Sequence, residues 1–89
     1  MVRIEITLRE IELLDLCYEI MNIPKNYSIN QSCIVVEENE LENLEIMFHC
    51  ILDTFIRIGL HENDEPNEIG EELENLNQKI NHRYVELNV

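Results

Sequence analysis

The chain has 89 residues, with 6 Lys+Arg against 19 Asp+Glu and a formal net charge of −13. That length gives one domain, residues 1–89, near the lower limit of what folds alone, with a folded surface of about 5,500 Å². One uncompensated negative charge per about 420 Å² repels nucleic acid and anionic lipid, so direct binding to either is excluded as an expectation.

The six bases, Arg3, Arg9, Lys25, Arg57, Lys79 and Arg83, are scattered and form no basic patch. Hydrophobic residues make up 45% of the chain, too many for a disordered acidic tail. No apolar run reaches membrane length and no signal peptide opens the sequence. The three cysteines, Cys17, Cys33 and Cys50, are an odd set and not a secreted disulfide framework. The expected address is cytoplasmic.

Val2, Ile4 and Ile6 alternate with Arg3 and Glu5, the period of a short strand. Thr7 and Glu10 then make a Thr-x-x-Glu capping box for a helix from Leu8 to about Met21. Pro24 and the polar stretch through Gln31 end it. On a wheel of 100° per residue, Glu12, Asp15, Glu19 and Asn22 form one narrow ridge, and most of the remaining arc is apolar. So wide an arc needs cover on more than one side. The first helix is therefore expected at the centre of the domain or at a dimer seam, with Ile11, Leu14, Tyr18 and Met21 as the seam.

The segment with Tyr27 and Ile29 reads as loop or short helix. Cys33, Ile34, Val35 and Val36 read as a strand. Asn39 with Glu42 is a second capping box, opening a helix whose apolar face holds Leu41, Leu44, Phe48, Ile51, Leu52, Phe55 and Ile58. Asp53 and Arg57 form an i,i+4 pair on the opposite arc. Gly59 is placed to end that helix in the left-handed conformation. Pro66 suits the first turn of a third helix, with Ile69, Leu73, Leu76 and Ile80 on a narrow stripe. Val85, Leu87 and Val89 fit either a third strand or the end of that helix. The expected fold is α+β: a two- or three-stranded sheet with three main helices packed on it. The alternative is an all-α bundle with an extended N-terminal arm, and in both cases the uneven polarity across the helices leads to an expected homodimer.

Chemistry is sparse. Cys17, Cys33, His49, Cys50, His61 and His82 show none of the tight metal-ligand spacings, and no metal or cofactor is expected. Cys17 and Cys33 read as buried packing residues, and Cys50 as the exposed one. His49 with Asp53, one turn apart, could orient a base but has no nucleophile beside it. Ser28 and Ser32 sit in no nucleophile elbow, and the only glycines, Gly59 and Gly70, form no phosphate cradle. No enzymatic activity is expected.

The sharper signal is charge. Glu62, Asp64, Glu65, Glu68, Glu71, Glu72 and Glu74 crowd one stretch, and Glu37, Glu38, Glu40, Glu42 and Glu45 another. Dense carboxylates keep a chain soluble. They also make a face that meets a basic protein, and the seven residues from Glu62 to Glu74 are the candidates for that contact. The expectation is thus an inhibitor or regulator of a basic protein. The alternative is a self-associating structural or regulatory domain of a bacterial or phage protein.

Overall fold

The computed structural model describes residues 1–88. The elements in order are β1 (Val2–Glu5), α1 (Leu8–Met21), β2 (Ser28–Asn30), β3 (Cys33–Val36), α2 (Glu40–Ile58) and α3 (Glu68–Leu87). This is a small α+β domain in which three helices pack on an antiparallel sheet of order β1-β3-β2.

The sheet register follows from side-chain alternation. Val2 pairs with Val36 and Ile4 with Ile34, and all four are buried on the face turned to the helices. Arg3 and Glu5 point the other way and are exposed. The third strand is Ser28–Asn30, which pairs with β3 through a two-residue turn at Gln31 and Ser32. Both turn residues have positive φ, 52° and 63°. That is the type I′ geometry usually supplied by Asn-Gly, so Gln-Ser gave no hairpin signal. The third strand therefore comes from this segment and not from the C-terminus, where Val85 and Leu87 are helical. Val89, the last residue of the alternating trio, lies outside the described residues.

The capping box of α1 forms as read. The Thr7 backbone N–H donates to Glu10 Oε1 at 2.8 Å, and the Glu10 N–H donates to Thr7 Oγ1 at 3.1 Å. Asn22 ends the helix in the left-handed conformation, φ 54°, ahead of Pro24. The wide apolar arc of α1 is covered by the chain itself. Leu13, Leu14, Cys17 and Tyr18 are at most 1% exposed, against α2, α3 and the loop that follows α1. In that loop Tyr27 stacks edge-on against Tyr18, ring centroids 4.9 Å apart. The Tyr18 hydroxyl donates to Asn26 Oδ1 at 2.6 Å, and Asn26 Nδ2 donates to the Asn43 carbonyl at 3.1 Å. Of the expected dimer seam, Leu14 and Tyr18 are thus interior, while Ile11 and Met21 are half-buried against the same core. The loop supplies cover for α1 from within the chain.

The central helix is α2, which touches α1, α3 and β3. Its buried residues are Leu44, Met47, Cys50, Ile51 and Thr54. The inward face is thus turned from the expected one. Leu41 and Leu52 are outside, and Met47 and Cys50 are inside, because α1 packs along that flank. The Thr54 hydroxyl is satisfied inside by donating to the Cys50 carbonyl at 2.9 Å. The Asn39–Glu42 box does not form: Asn39 is left-handed, φ 49°, and its side chain caps nothing. Asn43 instead donates its side-chain amide to the Glu38 carbonyl.

Candidate functional site

The candidate acidic face is built by the turn joining α2 to α3. Gly59 does not end α2 in the left-handed region, since its φ is −92°. Glycine is required there for a different reason. A Cβ on Gly59 would sit 2.9 Å from Gly70 Cα, and a Cβ on Gly70 would collide with the Gly59 carbonyl oxygen. The backbones of the two helices meet at this pair. Pro66 lies before α3 and bridges back to Leu60, and the N-cap is Asn67.

Asn67 ties both helix ends together. Its Oδ1 accepts from the Gly70 N–H at 2.8 Å, and its Nδ2 donates to the Ile58 carbonyl at 2.9 Å. The Asn67 N–H donates to the Gly59 carbonyl at 2.9 Å. Within the turn, the His61 N–H donates to the Glu65 carbonyl at 2.7 Å, and the Asp64 N–H donates to the His61 carbonyl at 3.0 Å. The Glu65 N–H donates to Asn63 Oδ1 at 3.2 Å. Asp64 has φ 65°, a conformation that Asp tolerates better than most residues.

This hydrogen-bonded turn presents Glu62, Asp64, Glu65 and Glu68, all exposed, at one end of the α2–α3 hairpin. Glu71 and Glu74 continue outward along α3 and are also exposed. Glu72 leaves the group. It faces α1, where Arg9 grips it through Nε at 2.8 Å and Nη2 at 3.3 Å. The guanidinium holds the Glu72 carboxyl below its ordinary range, and Glu72 in turn raises Arg9. Six of the seven predicted residues are therefore exposed on this turn and the first half of α3.

Three of the other cations are engaged elsewhere, and Arg3 and Arg57 have no ion-pair partner among the described residues. Lys79 Nζ reaches Glu10 Oε1 at 2.7 Å, Lys25 reaches Asp15 at 3.1 Å, and Arg83 pairs with Glu86 at 3.8 Å. Burial pushes the Glu10 carboxyl up, but the Lys79 ammonium and the Thr7 backbone N–H outweigh it, so its pKa is lowered. Among the described residues, Glu62, Asp64, Glu65, Glu68, Glu71 and Glu74 meet no cation at ion-pair distance. The second acidic stretch, Glu37 to Glu45, lies at the opposite end of α2. A 19-residue helix separates the two by about 28 Å. There Glu40 meets the N-terminal ammonium and Glu45 lies 3.9 Å from His49. Twelve of the 19 acidic residues thus lie in these two stretches.

The groups weighed for catalysis are dispersed. Cys17 and Cys50 are buried at 0% and 1% exposure, which corrects the exposed reading of Cys50. Burial raises both thiols, Cys50 to about 12, so both are protonated at neutral pH. Cys33 is half-buried in β3, and all three cysteines are free. Asp53 pairs with neither Arg57 nor His49 among the described residues. No group of three or more His, Cys, Asp or Glu among the described residues is placed to hold a metal. A hollow of about 640 Å³ is lined by Asp15, Tyr18, Glu19, Asn22, Ile23, Pro24 and Lys25. In its wall, Asp15 accepts from the Tyr27 hydroxyl at 2.6 Å, an arrangement that raises the Tyr27 phenol further above its ordinary range than burial alone. None of the described helices is long and apolar enough to cross a membrane.

One groove escaped the sequence reading. Phe48 and Leu52 of α2 and Glu74, Asn77, Gln78 and Asn81 of α3 line a channel of about 390 Å³. The signal was available in Leu41, Leu52 and Ile56, which make the apolar arc of α2 wider than one buried face needs.

The fold and surface define a small α+β domain with an acidic, hydrogen-bonded tip. No protein-family model, curated protein or solved structure matches the chain.

Proposed function

We propose that the chain is a non-enzymatic, cytoplasmic protein-interaction domain that binds a basic protein as its inhibitor or regulator. Glu62, Asp64, Glu65, Glu68, Glu71 and Glu74 make the contact. The observation that carries this reading is their joint exposure on a pinned turn and helix start, with no cation at ion-pair distance among the described residues. A backbone already held in place loses little freedom when a partner arrives, and the field of the carboxylates speeds encounter with positive surfaces while rejecting negative ones. Three free thiols suit a reducing compartment. Self-association through α1 is the weaker alternative, because Leu14 and Tyr18 lie inside the chain's own core.

The test is affinity capture from a source lysate, followed by association kinetics with the captured protein. The expected result is retention at low salt, release at high salt, and association slowed roughly tenfold or more by Glu65→Lys, Glu68→Lys and Glu71→Lys together. Binding indifferent to both salt and these reversals, with the circular dichroism of the variant unchanged, would refute the reading.

A further inference from the structure

The most extensive apolar surface on a helix lies along α2. Leu41, Leu52 and Ile56 are 38%, 42% and 59% exposed. With half-buried Phe48 they fall within an arc of about 80° at 100° per residue. Phe48 and Leu52 form one wall of the α2–α3 groove, and α3 supplies the other through Glu74, Asn77, Gln78 and Asn81. No Lys or Arg lines the groove. Glu45 falls in the same arc of α2, and Glu71 lies one turn before Glu74 on α3, both exposed. The groove is therefore an apolar strip with Glu74 in its α3 wall, Glu71 near it on α3, and Glu45 within the α2 arc.

We propose that this groove docks a basic amphipathic α-helix of a partner protein, with the apolar stripe of that helix on Phe48, Leu52 and Ile56 and its Lys or Arg side chains against Glu45, Glu71 and Glu74. It presumes the basic partner proposed above and names the element of that partner that binds. Phe48, Leu52 and Ile56 follow one another at one-turn spacing over about 12 Å, the spacing of anchors in helix-in-groove recognition. Charge decides between occupants. A second copy of this chain would bring another net −13 to a groove already edged with carboxylates, and nucleic acid would do the same. A cationic helix relieves that repulsion while covering the apolar strip. Asn77, Gln78 and Asn81 add neutral polar groups to the wall that holds Glu74.

The experiment uses two labelled peptides of about 18 residues with identical Leu and Lys content, long enough to match α2 when helical. One is ordered to be amphipathic as a helix and the other is shuffled. Both are titrated with the full chain at low salt and followed by fluorescence anisotropy. The expected result is that the amphipathic peptide binds about tenfold or more tightly than the shuffled one. The double variant Leu52→Gln, Ile56→Gln should abolish that preference while leaving weak, salt-sensitive binding of both peptides. These side chains are largely exposed, so the variant keeps the fold. Equal affinities, or a preference that survives the double variant, overturn the groove assignment and leave the charge-based function standing. Failure of both peptides to bind at low salt overturns both readings. A dimer in sedimentation that the double variant dissociates also overturns the assignment, because the occupant is then a second copy.

Discussion

Replacing Gly70 with Ala tests how the acidic tip is held. An added Cβ would meet the Gly59 carbonyl carbon at 2.9 Å and its Cα at 3.2 Å, and would collide with its carbonyl oxygen. These neighbours are backbone, so no rotamer change relieves the contact. Overpacking of this kind costs about 1–3 kcal/mol, and an immovable neighbour places Gly70→Ala at the upper end. Ala recovers at most about 1 kcal/mol of helix propensity. The expected net loss is about 2 kcal/mol, or about 8–16 °C in Tm for a domain of this size. Gly59→Ala meets Gly70 Cα at 2.9 Å and also the Phe55 carbonyl oxygen of its own helix at 2.7 Å. Once either substitution has parted the helices, the contact they share is not met a second time. The double variant should therefore lose clearly less than the two single losses combined. Urea unfolding of the four proteins measures all of this. If Gly70→Ala matches or exceeds the wild type in stability, the two helices do not meet backbone to backbone, and the pinned acidic turn has no anchor.

Three further outcomes are expected. Asn67→Ala removes both the cap on Gly70 and the donor to Ile58, at a cost of about 1–3 kcal/mol in urea unfolding. Asn67→Asp keeps a cap acceptor but sets an oxygen against the Ile58 carbonyl, so wild-type stability in that variant would show that the tie to α2 contributes nothing. Tyr27→Ala uncovers Tyr18 on α1 and should cost about 2–4 kcal/mol with new binding of a hydrophobic dye, whereas Tyr27→Phe keeps the ring and should lose only about 1–2 kcal/mol with no dye binding. At alkaline pH, Cys50 ionises near 9.0 when unfolded but is pushed up to about 12 by burial when folded. The folded state therefore holds more protons above about pH 9, and stability is full below that value and falls as pH rises towards 12. Between about pH 8 and 10.5 the wild type should lose about 2 kcal/mol more than Cys50→Ala, and equal slopes in urea midpoints against pH would contradict the buried thiol.

Local chemistry was legible in the sequence wherever a short stretch contained its own reason. The Thr7–Glu10 box, α1 from Leu8 to Met21, and the β-branched strand Cys33–Val36 all appear where propensity and spacing put them. The α+β class followed from two short β segments and three helical ones. Net charge and the crowding of carboxylates between Glu62 and Glu74 are properties of composition, and no packing can alter their number.

What the sequence left open depended on contacts between distant residues. The hairpin at Gln31–Ser32 has no favoured turn residues, so only pairing of Ser28–Asn30 with β3 reveals it. Rotation of α2 about its axis was undetermined because apolar side chains occupy more of its circumference than one face can bury. Its contacts with α1 and α3 chose Met47 and Cys50 for the interior and left Leu41 and Leu52 outside. The arc of α1 fitted either the centre of the domain or a dimer seam, because the sequence does not show Tyr27 folding back over Tyr18. Gly59 was recognised as special for a left-handed conformation, whereas its role is to let Gly70 approach. Tertiary structure alone also separated Glu72, neutralised by Arg9 from α1, from the six acids that keep their charge facing outward. The order of residues set how many carboxylates the surface carries, and packing set which remain unpaired, because a partner 63 positions away along the chain becomes a neighbour only after folding.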